Sequence, residues 1–394
     1  MTTQTRAGAM TTKSRTEGLP LIRAWHNERF RLIVAAMVAV IAVFMAAVMT
    51  VLLMVADGVP LEDFIPYYGA ALRMGAGESP YYAEQLESPI HAVCIGCYIY
   101  PPLLAQLLLP MTALSLDAAK IVWFAMLSLA AFGSAWIGAS IGGARASLER
   151  VFWTIAAAAL FFPIFNGNWL GNVSTFVALC VALVALGGVA GGVGAAFTTV
   201  MKVSPLVYVP IVFLADARSR VAVVVALGVF LVPFVLLAPA AWLEAPQMLL
   251  NLVRGDGDVY WNLAPAMMAN NIAWSDTAVT VIRGLTLAGG VVAMLAALWM
   301  ARRPGGLPLA TLLATVTLLL IPGTLWYHYL AVLLPLAAMA WPRSGPIARS
   351  ALLVGAFVTS LAGVNSIPIG ISFFSGALML AVAGWVLWDR ADSE

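Results

Sequence analysis

The run RLIVAAMVAVIAVFMAAVMTVLLMVA, residues 31–56, decides the fold class. Its only charge, Arg31, sits at the edge, and it exceeds the ~20 apolar residues that a membrane-crossing helix needs. It is also longer than the ~7 to 15 apolar residues of a signal-peptide core and lacks a persuasive cleavage site, so it reads as a retained anchor.

Eleven further apolar runs follow, near residues 117–141, 150–165, 171–189, 190–202, 205–215, 220–240, 276–300, 307–322, 327–341, 347–364 and 369–388. The chain is 62% hydrophobic and 10% charged, with a mean hydropathy of +0.97. No soluble core of 394 residues absorbs so many apolar runs. The expected fold is an all-α polytopic membrane protein, a bundle of about 12 transmembrane helices. The runs at 190–202 and 205–215 are short and flank Lys202-Val203-Ser204-Pro205, as in broken helices that meet inside a protein.

Charge placement sets the expected orientation. With the N-terminus cytoplasmic, inside segments carry Arg6, Lys13, Arg15, Arg23, Arg29, Arg31, Arg145, Arg150, Arg218, Arg220, Arg302, Arg303, Arg343, Arg349 and Arg390, which are 15 of the 20 Lys and Arg. Both termini then face the cytoplasm, and the protein is a multi-pass resident of the cytoplasmic (inner) membrane. Residues 1–29 form a cytoplasmic tail. Residues 30–240 form an N-terminal transmembrane module with an external loop at 57–116, and 241–394 supply an external segment and the remaining spans. This topology requires residues 100–115 to lie along the outer surface without crossing. Residues 63–75 read as a second surface helix, with Asp63 placed to cap it and Phe64, Tyr67, Tyr68, Ala71 and Leu72 at helical spacing.

The stretch from Asp57 to Pro102 gathers what polar chemistry the chain has: Glu62, Asp63, Tyr67, Tyr68, Arg73, Tyr98 and Tyr100. Two readings compete for Asp63, a helix cap and a general base, and Glu62 is its neighbouring rival. Further on, Asn166, Asn168 and Asn172 cluster around a turn, where amides serve carbohydrate hydroxyls or cap helices. The glycines Gly187, Gly188, Gly191, Gly192 and Gly194 match no phosphate-loop spacing and favour close helix packing. Lys202, deep in an apolar stretch, needs polar company. It reads as a cation for a lipid phosphate, against a lysine reaching for headgroups. Residues 241–275 are rich in Trp, Asp and Asn, suiting either an acceptor site or an aromatic belt. His328 stands among Trp326, Tyr327 and Tyr329, structural or in contact with phosphate or hydroxyl. Cys94 and Cys97, near His91, support zinc weakly and a disulfide better; Cys180 reads as packing. No metal site is called. No cofactor is assigned from the sequence, and a divalent cation is left open.

The order of these motifs resembles glycosyltransferase family 87, integral membrane transferases of the GT-C class that use polyprenol-phosphate sugars. The features are Asp63 with Tyr67-Tyr68 and Ala70-Ala71, Ser79-Pro80-Tyr81, Tyr100-Pro101-Pro102 with Pro110, Gly171-Asn172, Lys202-Val203-Ser204-Pro205 and Trp326-Tyr327-His328-Tyr329. The resemblance covers most of residues 30–340. It implies a GT-C-like bundle in which two surface helices of the first external loop cover a lipid-facing cavity, and a loop carboxylate, here Asp63, acts as base. The chain departs from the family pattern at Asn172, where Gln is frequent, and at Tyr329, where a second His is frequent.

Taken together, these features lead us to expect a hexosyltransferase-type enzyme of cell-envelope biosynthesis. It would move mannose or arabinose from a polyprenyl-phosphate donor to an envelope glycan or glycolipid, and it would not bind nucleic acid. Asp63 is the expected catalytic base; Lys202, Arg73 and His328 the donor-phosphate ligands; Glu62, Tyr67, Tyr68, Tyr100, Asn168, Asn172, Trp326 and Tyr327 the substrate-binding residues. The alternative is a lipid-linked sugar flippase or transporter, expected to line a polar path across both membrane halves.

Overall fold

In the computed structural model, residues 27–56, 58–90, 96–254, 262–271, 274–363 and 370–391 are described. Asp57, His91, Cys94, Asp256, Asp258, Tyr260, Trp261 and most of the N-terminal tail lie outside them. Among the described residues the chain is helical throughout, with no strand. The α-helices are α1 (Glu28–Val55), α2 (Phe64–Gly75), α3 (Ala83–Glu87), α4 (Pro102–Leu108), α5 (Leu116–Ile141), α6 (Leu148–Leu160), α7 (Phe162–Leu170), α8 (Ser174–Leu186), α9 (Gly188–Met201), α10 (Tyr208–Ala215), α11 (Ala217–Leu237), α12 (Pro239–Arg254), α13 (Pro265–Asn271), α14 (Asp276–Ala301), α15 (Leu307–Leu320), α16 (Leu333–Ala340), α17 (Pro346–Gly363) and α18 (Gly370–Ala391).

Among the described residues, helix covers most of each of the twelve apolar runs. Five helices, α1, α5, α11, α14 and α18, are long and apolar enough to cross a membrane singly, and the bent pair α6–α7 makes a sixth candidate. The bend of 66° falls where Phe161 leaves the helical backbone and Pro163 follows in the first turn of α7, because proline has no N–H to carry the α6 hydrogen-bond ladder onward and its ring clashes with the carbonyl four residues back. The other runs form shorter apolar helices, among them α8, α9 and α15.

Local chemistry explains the boundaries. Asn27 caps α1 by accepting from the Arg29 and Phe30 amides, and Ser115 caps α5 through the Ala118 amide. The lipid-ready face of α1 is broad. Only the small-residue stripe Ala35, Ala39 and Ala42 is buried, and Ala39 and Ala42 cluster with Ala156 of α6, an arrangement that lets backbones approach closely. The glycine run serves the same end: a Cβ on Gly192 would lie 2.6 Å from the Ala222 Cβ of α11, and one on Gly194 2.9 Å from the Leu183 Cβ of α8.

Around the first loop, Tyr67, Tyr81, Tyr98 and Tyr100 are buried in one aromatic cluster. The Tyr81 hydroxyl donates to the Tyr100 carbonyl at 2.9 Å, and the Gln85 amide donates to the Tyr98 carbonyl at 3.0 Å. Helix α2 buries Phe64, Tyr67, Ala70 and Ala71, while Leu72, expected at the same helical spacing, is 47% exposed. Residues 100–115 form α4 and a 3-10 turn, Leu109–Ala113. Of α4, Pro102 through Gln106 and Leu108 are covered by protein, packed against α2, α9 and α11. The stretch Asn166–Asn172, read as a turn, is helical as far as Leu170, the end of α7, and turns only at Gly171, and the segment read as external carries α12 and α13.

Candidate active site

The loop ahead of α2 is laced to the end of α7. The Leu61 amide donates to the Trp169 carbonyl at 2.7 Å and the Asp63 amide to the Leu170 carbonyl at 2.8 Å. Leu61 adopts φ 60°, a left-handed conformation that costs a non-glycine residue about 1 to 2 kcal/mol. Opposite it, α7 closes on Gly171 at φ 75°, and the Asn172 amide reaches back to the Gly167 carbonyl at 2.8 Å, a common way to end a helix. Glycine is required twice over at 171. A Cβ there would meet Leu61 Cδ2 and Phe64 Cβ at 3.0 Å. The Gly171 carbonyl is held by the Trp123 indole at 2.8 Å.

This lacing presents Asp63. Contrary to the capping expectation, its side chain makes no cap hydrogen bond to α2. Its own backbone is already helical, at φ −67° and ψ −22°, whereas a capping side chain normally needs an extended backbone to reach the first amides. The carboxylate turns instead to Asn172, whose Nδ2 donates to Oδ2 at 2.7 Å. Asn172 is 3% exposed and its amide is fully used: Nδ2 also donates to the Tyr100 hydroxyl at 3.3 Å, while Oδ1 accepts from the Ser174 amide at 2.9 Å and the Ser174 hydroxyl at 2.7 Å. The chain continues, since Lys202 Nζ donates to Ser174 Oγ at 3.5 Å. Desolvation raises the Asp63 pKa above the usual carboxylate value; the Asn172 bond and the Lys202 charge oppose that rise, and Glu62 adds to it.

Lys202 follows directly on the last residue of α9 and is 9% exposed. Its ammonium stands 3.5 Å from the centroid of the Tyr329 ring and 5.8 Å from that of Tyr100. No carboxylate among the described residues comes within ion-pairing distance of it. An aromatic face steadies a cation without cancelling its charge, so this ammonium stays available to an anion. His328 is close enough to interact with the Lys202 charge. It is 6% exposed, and its Nε2 has no hydrogen-bond partner.

The fold therefore brings Asp63, Tyr100, Asn172, Lys202 and His328 together, with Tyr67 beneath them. Tyr67 is 2% exposed, packs edge-on to Tyr100 at 5.0 Å, and closes no hydrogen bond through its hydroxyl. Glu62 is exposed. Other expected residues are engaged elsewhere. Tyr68 donates to the Leu114 carbonyl at 2.7 Å, and Tyr327 to the Thr359 carbonyl at 2.6 Å. Asn168 accepts from the Thr175 hydroxyl at 2.9 Å. Arg73 donates to the carbonyls of Ser79 and Pro80 and stacks on Tyr82. Trp326 is half-buried just ahead of the 3-10 turn that carries His328. Two members of the cluster, Ser174 and Tyr329, were not among the expected site residues. The signal for Ser174 is Asn172-Val173-Ser174, since an Asn before a helix readily accepts from the amide two residues on. Cys97 is disulfide-bonded.

The sequence model of glycosyltransferase family 87 matches residues 98–322. That span holds Tyr100, Asn168, Asn172, Ser174 and Lys202, while Asp63, Trp326 and His328 flank it. No curated protein and no solved structure matches the chain. The family match covers more than half of the 394 residues. The chain belongs to glycosyltransferase family 87 and is a membrane glycosyltransferase.

Proposed function

We propose that the protein transfers one sugar, mannose or arabinose, from a polyprenyl-phosphate donor to a glycan or glycolipid acceptor of the cell envelope, on the outer face of the cytoplasmic membrane. The observation that carries this reading is a buried ammonium and a carboxylate joined through Ser174 and Asn172 with no ion pair between them. Two opposite charges held close yet apart suit a reaction whose leaving group is an anion and whose nucleophile must lose a proton.

In this account Lys202, with His328 beside it, receives the donor phosphate and stabilises the charge that grows on it as the anomeric C–O bond breaks. The acceptor hydroxyl attacks the anomeric carbon, and its proton passes to the Asp63 carboxylate. Polyprenyl phosphate leaves as the anion. A positioned general base contributes roughly 100- to 10,000-fold. Glu62, Tyr100 and Trp326 are the residues we assign to sugar and acceptor contacts. We leave Arg73 out of the phosphate site, because its guanidinium is committed to the Ser79 and Pro80 carbonyls. The predominance of Lys and Arg in the segments read as cytoplasmic supports the orientation.

In the helices that follow Lys202, Tyr208, Thr311 and Thr315 are buried and bonded to one another, so the polar groups of these three residues are satisfied within the protein. The test is purified protein in lipid, supplied separately with radiolabelled polyprenyl-phosphate mannose and arabinose and a membrane-extract acceptor. Label reaching the acceptor from one donor supports the proposal. Donor that crosses the bilayer without product would replace it with a flippase.

A further inference from the structure

Asn172 and Ser174 interact with two charged groups that the sequence places far apart. Asn172 Nδ2 donates to Asp63 across 109 residues, and Ser174 Oγ accepts from Lys202 across 28. Both link to each other through Asn172 Oδ1. The direction of every bond is fixed. Because Oδ1 already accepts from the Ser174 amide and hydroxyl, the Asn172 amide cannot turn over, and only its NH2 group can face Asp63. Turning it over would point an oxygen at the carboxylate and strand two donors. With all four of its bonds inside the protein, Asn172 has no hydrogen-bonding capacity left for a sugar, so its place is behind the reacting groups.

We propose that Asn172 and Ser174 are a positioning pair, which aims the Asp63 carboxylate and fixes its distance from the Lys202 ammonium. The idea deepens the transferase reading and rests on it for the roles of Asp63 and Lys202. The pair keeps the base supplied with a donor that stabilises its charged form, and it keeps the cation beside the base without letting the two neutralise each other. The other charged or titratable groups that act on Asp63 are Glu62 from the same turn, Tyr67 from α2, Tyr100 from the loop and Tyr329 from the turn after α15.

The test is an infrared titration of wild-type protein in lipid, following the protonated-carboxyl band that Asp63→Asn lacks, with transfer measured on the same samples. Asn172→Leu removes the donor at similar volume. Ser174→Ala loosens the amide, and Ser174→Thr restores the hydroxyl. We expect the Asp63 titration to move to higher pH by on the order of one unit in Asn172→Leu. The shift in Ser174→Ala should be smaller and in the same direction, with a return toward wild type in Ser174→Thr. Folded variants that titrate where wild type does overturn the proposal, whatever the transfer assay reads. A wild-type protein inactive with every polyprenyl-phosphate donor refutes the transferase reading separately, because the titration does not depend on turnover.

Discussion

The Lys202 ammonium lies 3.5 Å from the centroid of the Tyr329 ring, and it has that aromatic face where a buried lysine ordinarily has a carboxylate. The contact steadies a desolvated cation by about 2 kcal/mol while leaving its charge uncancelled. Tyr329→Phe is expected to keep wild-type donor affinity, whereas Tyr329→Leu raises the donor KM about 10- to 30-fold with little change in kcat. Steady-state kinetics over a donor series checks the split. Equal losses in Phe and Leu would show that the hydroxyl, and not the ring, matters.

Lys202 itself is predicted to be a charge-specific residue. Lys202→Met, which keeps the apolar stem, should lower kcat/KM at least 100-fold, because it removes the ammonium that donates to Ser174. Binding of a non-hydrolysable polyprenyl-phosphonate, measured by calorimetry, should fall in parallel. Binding at wild-type strength would place the phosphate elsewhere.

Desolvation pushes the Asp63 pKa above the usual carboxylate value, which has two consequences. As the base, Asp63 must be ionised, so transfer is expected to fall as pH drops through a midpoint above 3.8, the ordinary value. For stability the sign is opposite. The fold favours the protonated form, so that contribution is present at low pH and is lost as pH rises through the raised pKa. At neutral pH Asp63→Asn is therefore expected to melt at or above the wild-type temperature while losing activity. Thermal unfolding in detergent beside a pH–rate profile checks both.

Gly171 carries the turn that joins the two halves of the site. Gly171→Ala combines a positive φ of 75° with contacts of 3.0 Å to Leu61 and Phe64, and it is expected to destabilise the protein by about 1 to 3 kcal/mol. Its transfer rate should fall more than that of Gly133→Ala, whose Cβ meets a single flexible Leu179 methyl at 3.2 Å. Comparable behaviour of the two would argue against a special turn.

The helical architecture was legible in the sequence because apolar runs and their breaks are local signals. Helix fills most of each run, although among the described residues only five helices are long and apolar enough to cross a membrane singly, and the Lys202–Pro205 break is where α9 ends. Asp63, Lys202 and His328 stood out because a polar group in an apolar chain is conspicuous. What the sequence did not reveal depends on approach between distant segments. Asp63 reads locally as a helix cap, yet its partner is Asn172, 109 residues away. Arg73 reads as a free cation, but the turn at Ser79 and Pro80 consumes it. Tyr329 reads as one more aromatic until α9 brings Lys202 onto its face. Tyr68 and Tyr327 resemble substrate platforms by type, while their hydroxyls are tied to carbonyls of the scaffold.

In the proposed reaction Asp63 takes the acceptor proton. The most direct measurement is a single-turnover transfer assay with saturating labelled donor and acceptor, comparing wild type with Asp63→Asn at matched folding and donor binding. The chemical step should slow at least 100-fold in Asp63→Asn while donor binding is retained. A chemical step in Asp63→Asn within a few-fold of wild type would contradict it and leave Glu62 as the carboxylate to examine.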